Sequence, residues 1–167
     1  FKRLLFKTAF CCMACDGHID QKEVDEIKKM DTNTTYFGDV DLSGELEVLL
    51  NDLVKNGKKV VNDLFDELKE VKLNPVQELL ILEVALRIIH ADERTDENEV
   101  KFLKLLRGRL NVYDEIIVDR FGRDNLLFDK KYSDDVETSV NEYVNNIELP
   151  KFKEFADLTS SLDLNSK

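Results

Sequence analysis

The sequence predicts an all-α fold, a single bundle of about seven to eight helices that contains two pseudo-symmetric helical hairpins. Apolar residues recur at helical spacing along most of the 167 residues. The chain has only six Gly and two Pro, so few points interrupt a helix. One helix-loop-helix pattern also occurs twice. A chain of this length can bury one core without disulfides, so we expect one helical domain over residues 1–150 and a polar tail over 151–167.

The first half of the chain predicts a hairpin, a polar loop and two further helices. Apolar spacing places one helix before the short break at Asp16-Gly17-His18-Ile19 and another after it. Residues 31–43 are polar and predict a loop, and helical patterns resume at roughly 44–55 and 58–72. The residues that carry the hairpin pattern are Leu4, Leu5, Ala9, Phe10, Met13, Val24, Ile27 and Met30.

The second half begins with two residues that favour the start of a helix. Asn74 can cap the free amides of a helix, and Pro75 has the backbone angle of a first helical position. Helices are expected over about 75–91, 96–109 and 112–121. A last amphipathic segment opens at Ser133-Asp134-Asp135 and carries Val136, Val140 and Val144.

A repeat relates the two halves of the domain, with an offset of 76 residues. The repeated loop residues are Asp16, Asp20, Glu23 and Val24, which recur as Asp92, Asp96, Glu99 and Val100. The match extends to apolar positions on both sides of the loop, and so many matches in register predict two hairpins related by a pseudo-twofold axis on one core. The paired apolar positions are Leu4 with Leu80, Leu5 with Ile81, Ala9 with Ala85, Phe10 with Leu86, Met13 with Ile89, Ile27 with Leu103, and Met30 with Leu106.

Each copy of the repeat carries the acidic pattern Asp-x-x-x-Asp-x-x-Glu between two apolar helices. The last two residues of each pattern can form a capping box, in which two side chains satisfy the free amides of a helix start. They can also bind a cation together with the first Asp of each loop, and both interpretations stay open. The candidate metal ligands are Asp16, Asp20, Glu23, Asp92, Asp96 and Glu99.

Asp16 and Asp92 are the two acidic residues that a capping role does not explain. Both follow the end of a helix, where the negative end of the helix dipole disfavours an anion by roughly 0.3 to 1 kcal/mol. The same unfavourable charge in both repeats indicates a compensating cation. Since the loops offer hard oxygen ligands, this cation should be Ca²⁺, Mg²⁺ or Mn²⁺ rather than Zn²⁺. Neighbouring carboxylates that make the local field more negative are Asp25, Glu26, Glu93 and Glu97.

The two loop sequences resemble the tellurite-resistance TerB family over roughly residues 1–120. The resemblance implies an all-helical fold, an acidic metal site at the six residues named above, and a role in the tellurite, phage or chemical stress response. TerB-like domains also occur in some membrane-anchored DnaJ-type co-chaperones. The residues that carry the resemblance are Ala14-Cys15-Asp16-Gly17-His18-Ile19-Asp20-Gln21-Lys22-Glu23 and His90-Ala91-Asp92-Glu93-Arg94-Thr95-Asp96-Glu97-Asn98-Glu99.

The second loop departs from the family pattern at two positions. Glu93 stands where Gly is expected, and Thr95 stands where the pattern has an apolar residue. Because Glu tolerates positive φ poorly, the second loop can take a different turn from the first.

Another acidic segment resembles the opening of an EF-hand loop. Asp39, Asp41 and Ser43 supply oxygen donors at its first, third and fifth positions, and Gly44 occupies the sixth. The twelfth position is Leu50, where a bidentate Glu is needed. The alternatives are a weak Ca²⁺ site and a polar loop that leads into a helix capped by Ser43, and the missing ligand favours the second.

Three cysteines fall within one five-residue stretch of the first predicted helix: Cys11, Cys12 and Cys15. This spacing is a poor basis for disulfides, and the Cys-x-x-Cys lacks the β-α-β context of a thioredoxin motif. We expect the three cysteines to be packing residues. The alternative is that they take part in thiol redox or soft-oxyanion chemistry. His18 and His90 adjoin the acidic loops, and we interpret them as interfacial polar residues rather than ligands.

Composition limits the classes of function. A net charge of −11 argues against nucleic acid and anionic lipid as partners and favours cations and basic protein surfaces. The most apolar stretch, 79–89, is interrupted by Glu83 and Arg87, so no direct membrane insertion is expected. The cysteine usage predicts a cytoplasmic protein. The expected partners are proteins, membrane-associated ones among them.

The sequence carries no Ser-His-Asp arrangement, Gly-rich phosphate loop or nucleophile elbow, so an enzyme is not expected. The preferred function is a divalent-cation-binding, TerB-like helical module that acts through protein partners in a stress response. The first alternative is a metal-free protein-interaction domain whose acidic loops are helix caps. A weaker alternative is a metal-dependent hydrolase, in which the carboxylates hold a metal that activates water.

Overall fold

The computed structural model describes residues 1–15, 17, 19–32, 36–38, 40–91, 97–122, 136–147 and 149. Within these residues the chain forms eight α-helices and no strand, which confirms the predicted all-α bundle. The predicted opening of the last helix at Ser133-Asp134-Asp135 and the predicted tail over 151–167 lie outside the described residues. The helices are α1 (Lys2–Ala14), α2 (Gln21–Asp31), α3 (Leu42–Asn56), α4 (Lys59–Glu70), α5 (Pro75–Ala91), α6 (Glu97–Arg109), α7 (Asp114–Phe121) and α8 (Val136–Asn146).

The start of α5 has the predicted cap. The Gln77 amide N–H donates to Asn74 Oδ1 at 2.8 Å, and the Asn74 amide N–H donates to Gln77 Oε1 at 3.0 Å. These reciprocal bonds satisfy two of the amides that a helix start leaves open, and Pro75 follows as the first helical residue. None of the described helices is long and apolar enough to cross a membrane.

The start of α3 differs from the prediction. The helix begins at Leu42 with Asp41 as its N-cap residue, so Ser43 lies inside the first turn and is not the cap. The Asp41 side chain makes no capping hydrogen bond either. The helix start therefore depends on the burial of Leu42 and Leu46 rather than on a polar cap.

The segment predicted as a polar loop over 31–43 contains two core residues. Phe37 is fully buried and meets the Phe6 ring edge to face, with the ring centroids 5.7 Å apart. Tyr36 is also buried. The next residue, Gly38, has φ +56°, and a Cβ at this position would lie 2.3 Å from Lys2 Nζ. The turn therefore needs glycine to return the chain after the aromatic pair.

The two predicted hairpins interlock crosswise. Helix α1 packs along α5 at the centre of the bundle, α2 packs on α5, and α6 packs on α1. The second helix of each hairpin thus contacts the first helix of the other, and α6 also packs on α5 within its own hairpin. Three pairs of equivalent apolar positions are fully buried in both copies: Ala9 with Ala85, Ile27 with Leu103, and Met30 with Leu106. Two other pairs differ, since Leu4 and Val24 are buried whereas Leu80 and Val100 are only partly buried.

Three further helices cover this centre. Helix α4 contacts α1, α3, α6 and α8, and α8 also contacts α6. Aromatic rings join these layers: the Phe65 and Phe102 centroids are 5.5 Å apart, and those of Phe102 and Tyr143 are 6.5 Å apart. The core is therefore continuous from α1 to α8.

A polar network joins α2, the 36–38 turn, α5 and α7. Glu26 Oε1 lies 2.6 Å from both Nε and Nη2 of Arg87. The Arg87 guanidinium also donates to the Tyr36 hydroxyl at 3.1 Å and lies over the Tyr36 ring. The Tyr36 hydroxyl donates to Glu83, which also pairs with Arg120. Since each carboxylate meets a guanidinium, the network joins four elements without an uncompensated charge.

A buried carboxylate holds the connection between α6 and α7. Glu78 of α5 is only 4% exposed, and its oxygens accept hydrogen bonds from the Asn111 amide at 2.7 and 3.0 Å. A third bond comes from the Val112 amide at 3.0 Å. The connection is thereby fixed against α5, because hydrogen bonds to a charged acceptor are about twice as strong as neutral ones.

We expect Glu78→Ala to lower the free energy of unfolding by about 2 to 3 kcal/mol, because one buried amide and one partly buried amide lose a charged acceptor. Glu78→Gln keeps an acceptor oxygen and should cost less. Urea unfolding monitored by circular dichroism measures both effects. The matched control is Glu115→Ala on the exposed surface of α7, and a loss as large as that of Glu78→Ala would contradict this role.

Candidate functional site

The predicted site residues fall into two groups. Asp20, Glu23 and Glu99 are described, whereas Asp16, Asp92 and Asp96 lie outside the described residues, as do Glu93 and Thr95 of the second loop. Glu23 is the third residue of α2, and Glu99 is the third residue of α6. Both are buried, with 1% and 3% of their surface exposed. The repeat therefore places the same acidic side chain in the same kind of buried position twice.

The first loop contains the predicted capping box. The Lys22 amide donates to Asp20 Oδ1 at 2.8 Å, and the Asp20 amide donates to Glu23 Oε1 at 3.2 Å. This confirms that Asp20 and Glu23 have a local structural role. The equivalent box in the second loop needs Asp96 and stays a prediction.

The two buried glutamates both act electrostatically on Cys12, in the last turn of α1. Burial raises the pKa of the Cys12 thiol well above its usual value, and the charges of Cys15, Glu99 and Glu23 raise it further. Both carboxylates therefore lie close enough to the same sulfur to act on it electrostatically. This places the starts of α2 and α6 at the same end of the bundle.

The cysteines lie beneath the loops as packing residues. All three are buried and none is in a disulfide. The Cys15 thiol donates to the Cys12 carbonyl oxygen at 3.0 Å, and the Cys12 thiol meets the Ala85 carbonyl oxygen at 3.9 Å. Burial raises the pKa of the Cys11 thiol to about 12, although Lys7 opposes the shift. Since the thiolate is the reactive form, these shifts favour packing over thiol chemistry.

Tyr143 of α8 is a site residue that the sequence analysis missed. Its hydroxyl donates a hydrogen bond to the Asn98 carbonyl oxygen at 3.0 Å, and it lies near the Cys15 side chain. Burial raises the pKa of this hydroxyl, and Cys15 adds to the shift. The amphipathic pattern of α8 could show that one face is buried, but nothing in the sequence connects this tyrosine with the acidic loops.

The described residues do not form a metal site by themselves. Among them, no group of three or more His, Cys, Asp or Glu side chains is arranged to hold an ion. His90 is exposed at the end of α5, and His18 lies outside the described residues. Glu26 was predicted to make the electrostatic field at the first loop more negative. It forms an ion pair with Arg87, so it adds less negative charge there than expected. Asp25 is exposed and accepts a hydrogen bond from Gln21.

The EF-hand interpretation of 39–50 is wrong. Asp39 lies outside the described residues, but Leu42–Asn56 is helical, so the fifth to twelfth positions of the supposed loop belong to α3. An EF-hand loop must wrap its ligands around the ion, and a helix instead spreads these side chains around its circumference. Leu50 packs against the hydrophobic core.

Comparisons with known proteins find no match: no family model matches the sequence, and neither a curated protein nor a solved structure matches the chain. The resemblance to the TerB family therefore stays a prediction that rests on the residues of the two loops.

We expect Cys11, Cys12 and Cys15 to resist thiol-labelling reagents in the native protein, because all three are buried and burial raises the pKa of the Cys11 and Cys12 thiols. All three should react once urea unfolds the chain. Val54→Cys provides an exposed thiol on α3 as the positive control, and it should react within the mixing time. Equally rapid labelling of the three native thiols would contradict the packing role.

We also expect Leu50→Glu to create no Ca²⁺ site, since position 50 lies within α3 and not at the end of a loop. The substitution should instead destabilise the chain by about 1 to 3 kcal/mol, because a charge replaces a partly buried apolar side chain. Calorimetric titration of the variant with Ca²⁺, beside the native protein, checks this. Added Ca²⁺ binding in the variant would restore the EF-hand interpretation.

Proposed function

We propose that this chain is a divalent-cation-binding helical module of the TerB type, which acts through protein partners in a stress response. The observation that carries the proposal is the paired burial of Glu23 and Glu99 beside Cys12. One carboxylate comes from each copy of the repeat, and both lie where the two acidic loops join the core.

The electrostatics of this arrangement favour a cation. Two buried carboxylates that converge from different hairpins repel each other in a medium of low dielectric constant. Asp16 and Asp92 add charge where α1 and α5 end, which is the unfavourable end of each helix dipole. A divalent ion between the loops would offset both costs. Carboxylate oxygens suit Ca²⁺, Mg²⁺ or Mn²⁺.

The capping box at Asp20 and Glu23 favours a second candidate function, a metal-free protein-interaction domain. In this case the acidic loops serve as helix caps, and a basic protein surface is the partner that the net charge of −11 would attract. The two candidates differ in whether a cation stabilises the fold.

A melting experiment separates the two functions. We expect Ca²⁺, Mg²⁺ or Mn²⁺, added after chelation, to stabilise the native protein by about 2.7 kcal/mol at a hundred times the dissociation constant. For a chain of this length this corresponds to a rise in Tm of roughly 5 to 10 °C. Asp16→Asn with Asp92→Asn should abolish most of the rise, while the chelated double variant should be no less stable than the native protein.

The control removes two charges close to the loops but outside the proposed ligand set. Asp25→Asn with Glu97→Gln changes two exposed carboxylates, one beside each loop, and should keep the full rise in Tm. If no ion shifts the native Tm, the metal function is wrong and the interaction domain is favoured. If the rise persists in the Asp16, Asp92 variant, the cation binds elsewhere.

A further inference from the structure

Helix α7 has little apolar contact with the rest of the bundle. Of its eight residues only Ile117 is buried, whereas α4 buries five of its twelve. No side chain caps the first turn of α7. A helix of this length is not stable alone in water, so α7 depends on its contacts with the bundle. Its exposed residues are Asp114, Glu115, Ile116, Asp119 and Arg120.

The chain is held firmly up to the start of α7. The buried Glu78 carboxylate of α5 accepts hydrogen bonds from the amides of Asn111 and Val112, and the Val112 side chain is buried. The next residue, Tyr113, has an extended backbone, and its side chain is 73% exposed. Tyr113 is therefore the point about which α7 can pivot while the residues before it stay in place.

An ion pair holds the far end of α7. Arg120 pairs with Glu83 of α5, and its guanidinium also lies over the Phe121 ring, 5.0 Å from the centroid. The other ion pair of α7 joins Asp114 to Arg107 of α6 and lies beside the pivot. Since eight helical residues span about 12 Å, the Arg120–Glu83 pair is the polar contact best placed to stop the helix from swinging away.

We propose that α7 is a strap that opens from the bundle as a separate unit, with the Arg120–Glu83 ion pair as its latch. Segments with few buried apolar contacts open at a lower free energy than the whole domain unfolds. Opening uncovers the apolar surface on which Ile117 packs, and it leaves the Glu83 carboxylate without its guanidinium. Because the Arg120 side chain is 51% exposed, salt screens the pair and favours the open state.

Hydrogen exchange of the full chain in chelator, followed by mass spectrometry of peptides, tests the strap. We expect the amides of α7 to be protected at least about tenfold less than those of α5. Arg120→Gln should speed exchange in α7 by about threefold and leave α5 unchanged. The matched control is Lys101→Gln, which removes the same charge from an ion pair with Glu97 on α6 and should leave α7 unchanged.

The response to salt separates a latch from a general loss of packing. Raising NaCl to about 0.5 M weakens the attraction between Arg120 and Glu83, so exchange in α7 should accelerate in the native chain and change little in Arg120→Gln. Ile117→Val weakens the packing of α7 and keeps the pair, so it should exchange faster and retain the salt response. Screening of the net charge of −11 favours the folded state, so α5 should not accelerate.

Three results would contradict the strap or its latch. If α7 is protected as strongly as α5 in the native chain, α7 does not open separately and the proposal is overturned. If α7 opens separately but neither salt nor Arg120→Gln changes its exchange, Arg120 is not the latch. If Arg120→Gln accelerates α5 as much as α7, the ion pair stabilises the whole fold and the proposal is overturned.

Discussion

The close packing of α1 against α5 is the interaction on which the rest of the structure depends. Ala9 and Ala85 are fully buried in the two helices, and the Cys12 thiol reaches the Ala85 carbonyl oxygen. Small side chains allow such an approach, and the crosswise contacts of α2 with α5 and of α6 with α1 then follow. Because Glu23 and Glu99 stand in the first turns of α2 and α6 and both act on Cys12 of α1, each hairpin brings one buried carboxylate to this central pair.

The repeat made much of this architecture predictable. Matched apolar positions such as Ile27 and Leu103 predicted both hairpins. The helix cap at Asn74 was predictable from the local sequence alone, because a capping residue bonds to amides within the next few residues. Other features depend on contacts between distant parts of the chain. Phe37 lies in a polar segment and is buried in the core, where it meets the Phe6 ring. The hydrogen bond from the Tyr143 hydroxyl to the Asn98 carbonyl oxygen likewise requires α8 to be placed against α6, which no local pattern specifies.

The candidate site, like the fold, was predictable in part. The repeat indicated Glu23 and Glu99 as equivalent residues, and their burial agrees with that equivalence. The wrong EF-hand interpretation shows the opposite case, because donor spacing alone cannot distinguish a loop from the first turn of a helix. A few of the chain's 35 Asp and Glu residues are buried. Glu78 and Glu23 show how this is done, since both accept hydrogen bonds from backbone amides.

The crosswise packing also has a consequence for how the chain folds. The partners in the central pair are separated by α2, α3 and α4, so α1 cannot complete its packing until α5 has been made and the intervening chain has closed into a loop. Long-range pairing of this kind slows folding relative to a bundle whose neighbouring helices are consecutive. During synthesis the face of α1 that packs on α5 therefore stays without this partner until α5 has emerged from the ribosome.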